Sequence, residues 1–384
     1  MNSKWMTCTL GDLCTSVSDT YGLDASQVVL LNTSDVLEGK IINHNLVPRV
    51  NLKGQFKKTF KKNDILYSEI RPKNKRYAFV DIQDTENYIA STRLMVIRPD
   101  DRKVEPKYLY YLLTENSTIN LFQHLAESRS GTFPQITFDD TVAPYRVSVP
   151  PKIVQLKIIH LISSFDEKID VNNKIISNLE EQMTALFNEK CVKDYDRKTS
   201  LSHIAKFLNG LAMQKYPPEA DDPGLPVLKI KELRQKFCDA NSDVCSSGIN
   251  AQYIVEDGDL IFSWSGSLLV DIWTGGKCGL NQHLFKVTSQ THPKWFVFLW
   301  IKFHIDKFIA IAQAKATTMG HIKRSDLDKA EVIHLDKSEI DELDKIFKPQ
   351  FDFLVSLKIQ NKTLAKIRDL LLPKLLSGEI ELSN

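Results

Sequence analysis

The residues with the clearest chemical potential are basic, and they are concentrated. Between Arg49 and Arg76 lie Lys53, Lys57, Lys58, Lys61, Lys62, Arg71, Lys73 and Lys75, opposed only by Asp64 and Glu69. Such a run can neutralise several phosphates and would make nucleic-acid binding steeply salt-dependent. Asn51, Gln55 and Asn74 share the stretch, and their amides carry the donor–acceptor pairs that match base edges. The bland alternative is a solvated lysine face. The whole chain has 50 Lys and Arg against 48 Asp and Glu, a net charge of +2, so only local charge supports a nucleic-acid reading.

A second candidate is Glu127-Ser128-Arg129-Ser130-Gly131-Thr132-Phe133-Pro134-Gln135, where small polar residues around a glycine permit close backbone approach to a ligand. Arg129, Thr132 and Gln135 are its expected DNA contacts. Its counterpart runs from Lys315 to Arg324, with Lys315, Thr317, Thr318, His321, Lys323 and Arg324 in the same role. An ordinary turn is the competing reading for both.

Catalytic patterns are missing. Gly275-Gly276-Lys277-Cys278-Gly279 does not satisfy the phosphate-binding loop Gly-x-x-x-x-Gly-Lys-Ser/Thr and reads as a hairpin turn. There is no Gly-x-Gly-x-x-Gly. No Asn/Asp-Pro-Pro-Tyr/Phe run of an adenine amino-methyltransferase occurs, and Lys215-Tyr216-Pro217-Pro218 does not replace it. Asp166-Glu167-Lys168 reads as solvated charge, and Trp264 and Trp273 read as core. Cys8, Cys14, Cys191, Cys238, Cys245 and Cys278 form no Cys-x-x-Cys and no zinc spacing, which fits reduced thiols in the cytoplasm. No run of eighteen apolar residues and no apolar segment at the start is present, so neither a membrane span nor a secretory signal is expected.

Any such surface must be positioned by folded elements, and an internal repeat organises them. At an offset of about 190 residues, Thr9–Leu13 resembles Ser200–Ile204, and Asn63-Asp64-Ile65-Leu66-Tyr67-Ser68 resembles Gly258-Asp259-Leu260-Ile261-Phe262-Ser263. Leu94-Met95 aligns with Leu284-Phe285, Gly131–Ile136 with the segment ending Gly320-His321-Ile322, and Asn173-Lys174 with Asn361-Lys362. Each match alone is weak; their shared order makes the duplication. Each copy mixes short β-type runs (Asp64–Tyr67, Tyr77–Ile82, Arg93–Ile97, Leu260–Trp264) with helical patterns (Pro106–Leu113, Trp295–Ala312), an α+β composition.

Each copy ends in a long helix. After Pro150-Pro151, apolar residues recur at spacings of four and three: Ile158, Ile162, Phe165, Ile169, Asn172, Ile176, Leu179, Met183 and Leu186, with Asn172 the one polar interruption. About 188 residues later the seam returns as Ile346, Gln350, Phe353, Leu357, Gln360, Leu364, Ile367, Leu371 and Lys374. Ser338 with Asp341 suggests the start of this helix, Pro349 a kink or second start, and Pro373 a stop. Two exposed seams are most simply satisfied by packing on each other, with Asn172 meeting Gln360 if the helices run antiparallel. Ile158 to Leu186 would span roughly 42 Å at about 1.5 Å per residue, a length comparable with one turn of duplex DNA, ~34 Å. Two separate helices, each covering its own domain, are the alternative.

The stretch Pro150-Pro151, Gln155, Ile158–Phe165, Asp166-Glu167-Lys168-Ile169, Asn172-Asn173-Lys174-Ile175 and Leu179-Glu180-Glu181 to Ala185-Leu186-Phe187 resembles the central helical region of type I restriction-modification specificity subunits. Leu370-Leu371-Leu372-Pro373-Lys374-Leu375-Leu376-Ser377-Gly378-Glu379-Ile380 resembles their C-terminal region. The resemblance implies an α+β fold with two similar target recognition domains, at residues 1–150 and 193–335, separated by long spacer helices at 151–192 and 336–384. It implies a non-catalytic subunit that reads a split target in double-stranded DNA and positions two methyltransferase and two motor-nuclease subunits. S-adenosylmethionine, ATP and Mg2+ would be bound by those partners and none by this chain, and adenine would be flipped into a partner's pocket. A protein-binding coiled-coil scaffold without DNA readout is the second reading, and a stand-alone nuclease or methyltransferase the third.

Overall fold

A computed structural model describes residues 5–22, 25–49, 54–129, 132–192, 197–239, 241–314 and 320–382. The chain forms two compact units: one takes in the residues up to Asp166 and from Ile367 onward, the other spans Glu167–Lys366.

In the first unit the run Ile65-Leu66-Tyr67-Ser68 is buried on both faces. Side chains alternate along a strand. Ile65 and Tyr67 therefore face one core with Met95, Ile97 and helical residues, while Leu66 faces a second core with Leu94, Val96, Val29 and Ala90. The outcome is three layers. Helices α1 (Pro106–Thr114) and α2 (Asn116–Arg129) cover a four-stranded antiparallel sheet ordered Cys14–Val17, Leu94–Pro99, Ile65–Ser68, Tyr77–Phe79. Behind it lies a second sheet, ordered Val47–Pro48, Gln27–Leu31, Tyr88–Ser91, Phe56–Lys58, whose central pair is parallel.

The second unit repeats this plan. Its antiparallel sheet is ordered Lys206–Asn209, Leu284–Thr288, Leu260–Ser263, Leu269–Ile272, and its other sheet Val244–Cys245, Leu225–Leu228, Cys278–Leu280, Ile254–Val255, again with a parallel central pair. Leu260 and Phe262 face the helical core and Ile261 the core between the sheets. Corresponding strands occupy corresponding places, so the repeat read in the sequence is a repeat of topology. The turn into the central strand shows how local chemistry keeps it. Asn63 and Gly258 both take left-handed backbone (φ 72° and 91°), which these two residue types tolerate. Asp64 and Asp259 each accept from the backbone three residues earlier, at 2.8 Å. The glycine cluster is not a hairpin: Gly276 (φ 94°) turns the chain out of the strand Leu269–Ile272 into Cys278–Leu280, which belongs to the other sheet.

Helix α3 (Lys152–Cys191) begins directly after Pro150-Pro151. Helix α4 (Lys294–Ala314) is apolar on most of its surface and buries Trp295 through Ile301 without a break, as a helix enclosed by other elements must. Helix α5 (Lys337–Ser377) starts earlier than Ser338 suggests. Asp336 is its cap: its Oδ1 accepts from the Glu339 backbone at 3.0 Å and its own N–H donates to Glu339 Oε2 at 2.8 Å.

Pro349 and Pro373 both lie inside α5, and the helix continues through them. An internal proline costs about 3 kcal/mol. Around Pro349 that is offset by Phe347 and Phe351, both buried, which pack on Trp295 at 4.3 Å and Phe298 at 5.7 Å. The helix ends instead at Gly378, whose φ of 77° suits a C-terminal cap.

Within each unit the two long helices run antiparallel. In the first, Ile158 and Ile162 of α3 share a core with Leu375 and Leu376 of α5, and Asp166 meets Arg368 at 2.6 Å. In the second, Met183 and Phe187 pack with Phe347 and Phe351, and Ile176 with Leu354 and Leu357. Phe165, Ile169 and Leu179 of α3 are half-buried, as are Leu364 and Leu371 of α5. Phe353 and Ile367, expected in the seam, are exposed at 49% and 39%. The cause is phase. The face of α5 is set by docking Phe347 and Phe351 into the second domain's core, which moves the seam off the positions carried over from α3.

Candidate nucleic-acid interface

The tertiary fold divides the basic stretch. Lys61, exposed, and Lys62, half-buried, form the turn before the strand Ile65–Ser68, whereas Arg71, Lys73, Lys75 and Arg76 follow its other end. Four strand residues put these groups roughly 13 Å apart. Lys57 is exposed on the strand Phe56–Lys58. Lys58 turns inward and its ammonium donates to the carbonyls of Thr92 (3.1 Å) and Leu94 (2.9 Å). Burial lowers its pKa, opposed by the nearby Glu69 carboxylate. Lys58 thus fastens a turn; it does not present its charge to a phosphate.

The loop Glu69–Arg76 is backbone-constrained. Arg71 and Lys75 both sit in the left-handed region (φ 46° and 52°) on either side of the single turn Pro72–Asn74. Non-glycine residues adopt that conformation at a cost, and such costs gather where function requires a shape. Arg71 and Lys73 are exposed. Lys75 pairs with Glu38 at 3.5 Å, and Arg76 donates to the Ser34 carbonyl at 3.1 Å.

Gln135 is brought to this loop from sixty residues away in the chain: Ile70 and Gln135 form a bridge, with Arg71 N–H donating to Pro134 O (3.1 Å) and Ile136 N–H to Glu69 O (2.8 Å). A third segment joins them. Glu69 N–H donates to Arg93 O at 3.1 Å, and Arg93 Nη1 lies 3.3 Å from Gln135 Oε1 and 3.8 Å from Glu69 Oε2. Thr132 is exposed nearby in sequence. Arg129 instead closes the end of α2 onto Asp140 (3.1 Å to its carbonyl, 3.5 Å to its carboxylate).

The second unit builds the same junction. Ser265 bridges His321, with Gly266 N–H donating to Gly320 O (2.8 Å) and Ile322 N–H to Trp264 O (3.1 Å), and Trp264 N–H reaches His283 O at 3.4 Å. The aligned segments ending in Ile136 and Ile322 therefore do the same structural work. Trp264 is half-buried at this surface rather than enclosed in the core; its indole N–H donates to Asn209 Oδ1 at 2.9 Å and its ring stacks on Phe285 at 5.6 Å. Trp273 is core, 1% exposed. Ser265 Oγ and His283 Nδ1 are 3.0 Å apart. Lys323 is exposed, and Arg324 donates to Phe207 O at 3.3 Å. Lys315, Thr317 and Thr318 lie outside the described residues, as do Asn51, Lys53, Ser130 and Gly131.

Sequence reading missed Arg93 and His283. Each is a single residue in a tight turn, preceding the aligned pairs Leu94-Met95 and Leu284-Phe285. That shared place beside a matched motif was the available signal.

Among the described residues, no group of three or more His, Cys, Asp or Glu could hold a metal ion, and no helix is long and apolar enough to cross a membrane. All six cysteines are free thiols.

Two copies of one α+β unit each present a braced polar junction and take in part of each long helix. The family model described as the type I restriction modification DNA specificity domain matches residues 2–181. The type I restriction enzyme HindI specificity subunit of Haemophilus influenzae is 29% identical over 461 aligned residues, covering 98% of this chain and 100% of that protein. The MjaIX specificity subunit of Methanocaldococcus jannaschii is 23% identical over 319 residues, 74% of this chain and 71% of that one. In fold, the crystal structure of the type I restriction-modification S subunit from M. genitalium matches with a TM-score of 0.50 at 16% identity, over 100% of this chain and 98% of that one. Over nearly its whole length the chain is similar to the specificity subunits of type I restriction-modification systems.

Proposed function

We propose that the chain reads a split target in double-stranded DNA, one short sequence through each domain, with the long helices setting the gap between them. The observation that carries this reading is the recurrence of one hydrogen-bonded junction, Glu69/Arg93/Gln135 and Trp264/His283/His321, on two copies of one fold with different side chains. A common frame with different chemistry is what two different half-sites call for: phosphate contacts set register and base-edge contacts set sequence. Arg71, Lys73 and Lys57, exposed on the first domain, fit the phosphate role, and Lys323 fits it on the second.

In this reading the chain acts within an assembly. Two methyltransferase subunits dock on the helices and two motor-nuclease subunits complete the restriction complex. S-adenosylmethionine, ATP and Mg2+ belong to those partners, as does the pocket that receives the flipped adenine, an extrusion that costs a few kcal/mol. The relatives' names as restriction-enzyme specificity subunits support the assembly.

The test is a methylome. The chain is expressed with its methyltransferase partner and host DNA is sequenced for N6-methyladenine, with and without the chain. Two short sequences around a fixed gap, methylated only when the chain is present, is the expected result. An intact, folded complex that adds no methylation would instead favour a scaffold without DNA readout.

A further inference from the structure

The two junctions are matched position by position, and that match says more than that each domain touches DNA. Three chain segments converge in each. The turn bearing Arg93 is held by Ser91, whose Oγ accepts from Arg93 N–H at 3.3 Å; the turn bearing His283 is held by Asn281, whose Oδ1 accepts from His283 N–H at 3.2 Å. The exit of the central strand is held by buried serines, with Ser68 Oγ donating to Ile70 O and Ser263 Oγ to Ser265 O, both at 3.2 Å. The third segment, carrying Gln135 or His321, is stitched on by the paired backbone bonds already described. Five hydrogen bonds, three of them backbone to backbone, thus have one-to-one counterparts, and the residues they carry differ completely: Glu69, Arg93 and Gln135 against Trp264, His283 and His321.

We infer that Arg93 and His283 are the specificity-determining residues of the two half-sites, Arg93 aimed by Glu69 and Gln135 and His283 by Ser265 and Trp264. The inference rests on the DNA-reading function proposed above. Arg93 is 53% exposed, so its guanidinium is accessible to a ligand. Glu69 and Gln135 both contact Nη1, and among the described residues the Nε–Nη2 edge is not engaged. A planar fork held from one side presents two parallel donors, the geometry that matches O6 and N7 of guanine. Lys58 supports this aim through the carbonyls on either side of Arg93, Thr92 and Leu94. Arg93 therefore reads a G·C pair in the first half-site. The second domain offers no fork. His283 has an imidazole fixed at Nδ1 by Ser265, flanked by the indole of Trp264, which is itself fixed by Asn209. His283 Nε2 lies 3.3 Å from the side-chain nitrogen of Gln282, so His283 with its Gln282 amide, beside the aromatic face of Trp264, selects a different base.

The experiment uses the full chain in its methyltransferase complex and reads methylomes for the wild type, Arg93→Ala, Arg93→Lys and His283→Ala. Arg93→Ala should relax one G·C position of one half-site by roughly tenfold or more, leaving the gap and the other half-site unchanged. Arg93→Lys, which keeps the charge and loses the fork, should relax the same position. His283→Ala should relax a position in the other half-site only. An unchanged motif with Arg93→Ala in an assembled complex overturns the inference, as does an equal loss over both half-sites, the mark of a purely structural role. A wild-type complex that yields no split motif would overturn the DNA-reading function itself, a result distinct from either.

Discussion

Asn172 Nδ2 donates to Gln360 Oε1 at 2.7 Å, from a side chain that is fully buried between α3 and α5. The same nitrogen donates to Asn361 Oδ1 at 2.8 Å, and Asn361 donates on to Asn173 Oδ1 at 2.9 Å. Asn172 Oδ1 has no described partner. A buried amide with one acceptor unsatisfied costs stability, and its compensation is that few other helix registers satisfy the remaining amides.

This separates stability from register. Asn172→Leu should leave the melting temperature unchanged or raise it, while the methylated motif acquires gaps differing from the wild-type gap. Asn172→Ala should be about 2–5 kcal/mol less stable than Asn172→Leu, because it removes the same amide and leaves the buried space unfilled. Thermal unfolding and the gap distribution are the two readouts; a single wild-type gap in Asn172→Leu would contradict the register role.

A buried ion network joins both long helices to the second domain. Lys358, 7% exposed, contacts Asp271 at 2.5 Å and Glu180 at 3.4 Å, and Lys302 reaches Glu180 at 2.9 Å. Removing one member strands the others, so Lys358→Met should cost about 3–5 kcal/mol in chemical denaturation. Burial pushes the Glu180 pKa up, but the two ammonium groups overcome it and the net shift is downward. A folded pKa below the unfolded one means that the contribution is complete above the ordinary carboxylate range. It is lost as pH falls through the folded value. Glu180→Gln should therefore flatten the acid limb of stability below about pH 4.5 relative to the wild type; an unchanged acid limb rejects the assignment.

Gly320 has no room for a side chain. A Cβ there would lie 2.4 Å from the Ala312 carbonyl oxygen in α4. Gly320→Ala must displace the segment that carries His321, so methylation directed by the second half-site should fall at least tenfold while the chain remains folded by circular dichroism. Wild-type methylation in this variant would show that the close approach is dispensable.

Lys73 and Arg71 are exposed on the strained loop. Replacing both by alanine should weaken binding to all sequences alike and lower the salt slope of log K by roughly 0.9 for each phosphate contact removed. Titration of the assembled complex with DNA across a salt series measures this, and a changed recognition motif would assign these residues to base readout instead.

The sequence by itself determined what is local or periodic. Left-handed turn chemistry at Asn63 and Gly258 and alternation along Ile65–Tyr67 and Leu260–Phe262 are properties of neighbouring residues, so the duplicated α+β units were visible without coordinates. So was the pairing of Asn172 with Gln360, because a polar residue interrupting an apolar seam calls for a polar partner. Tertiary structure decided what depends on distant segments meeting. It turned Lys58 inward, separated Lys61 and Lys62 from Arg71, and exposed Phe353 and Ile367 by phasing α5 to the second domain's core. It also made Arg93 and His283 into sites. Each is unremarkable in its turn, and acquires its aim only where a distant residue, Gln135 for Arg93 and Ser265 for His283, closes on it: side-chain orientation is fixed by packing and long-range hydrogen bonds, which leave no local pattern in the chain.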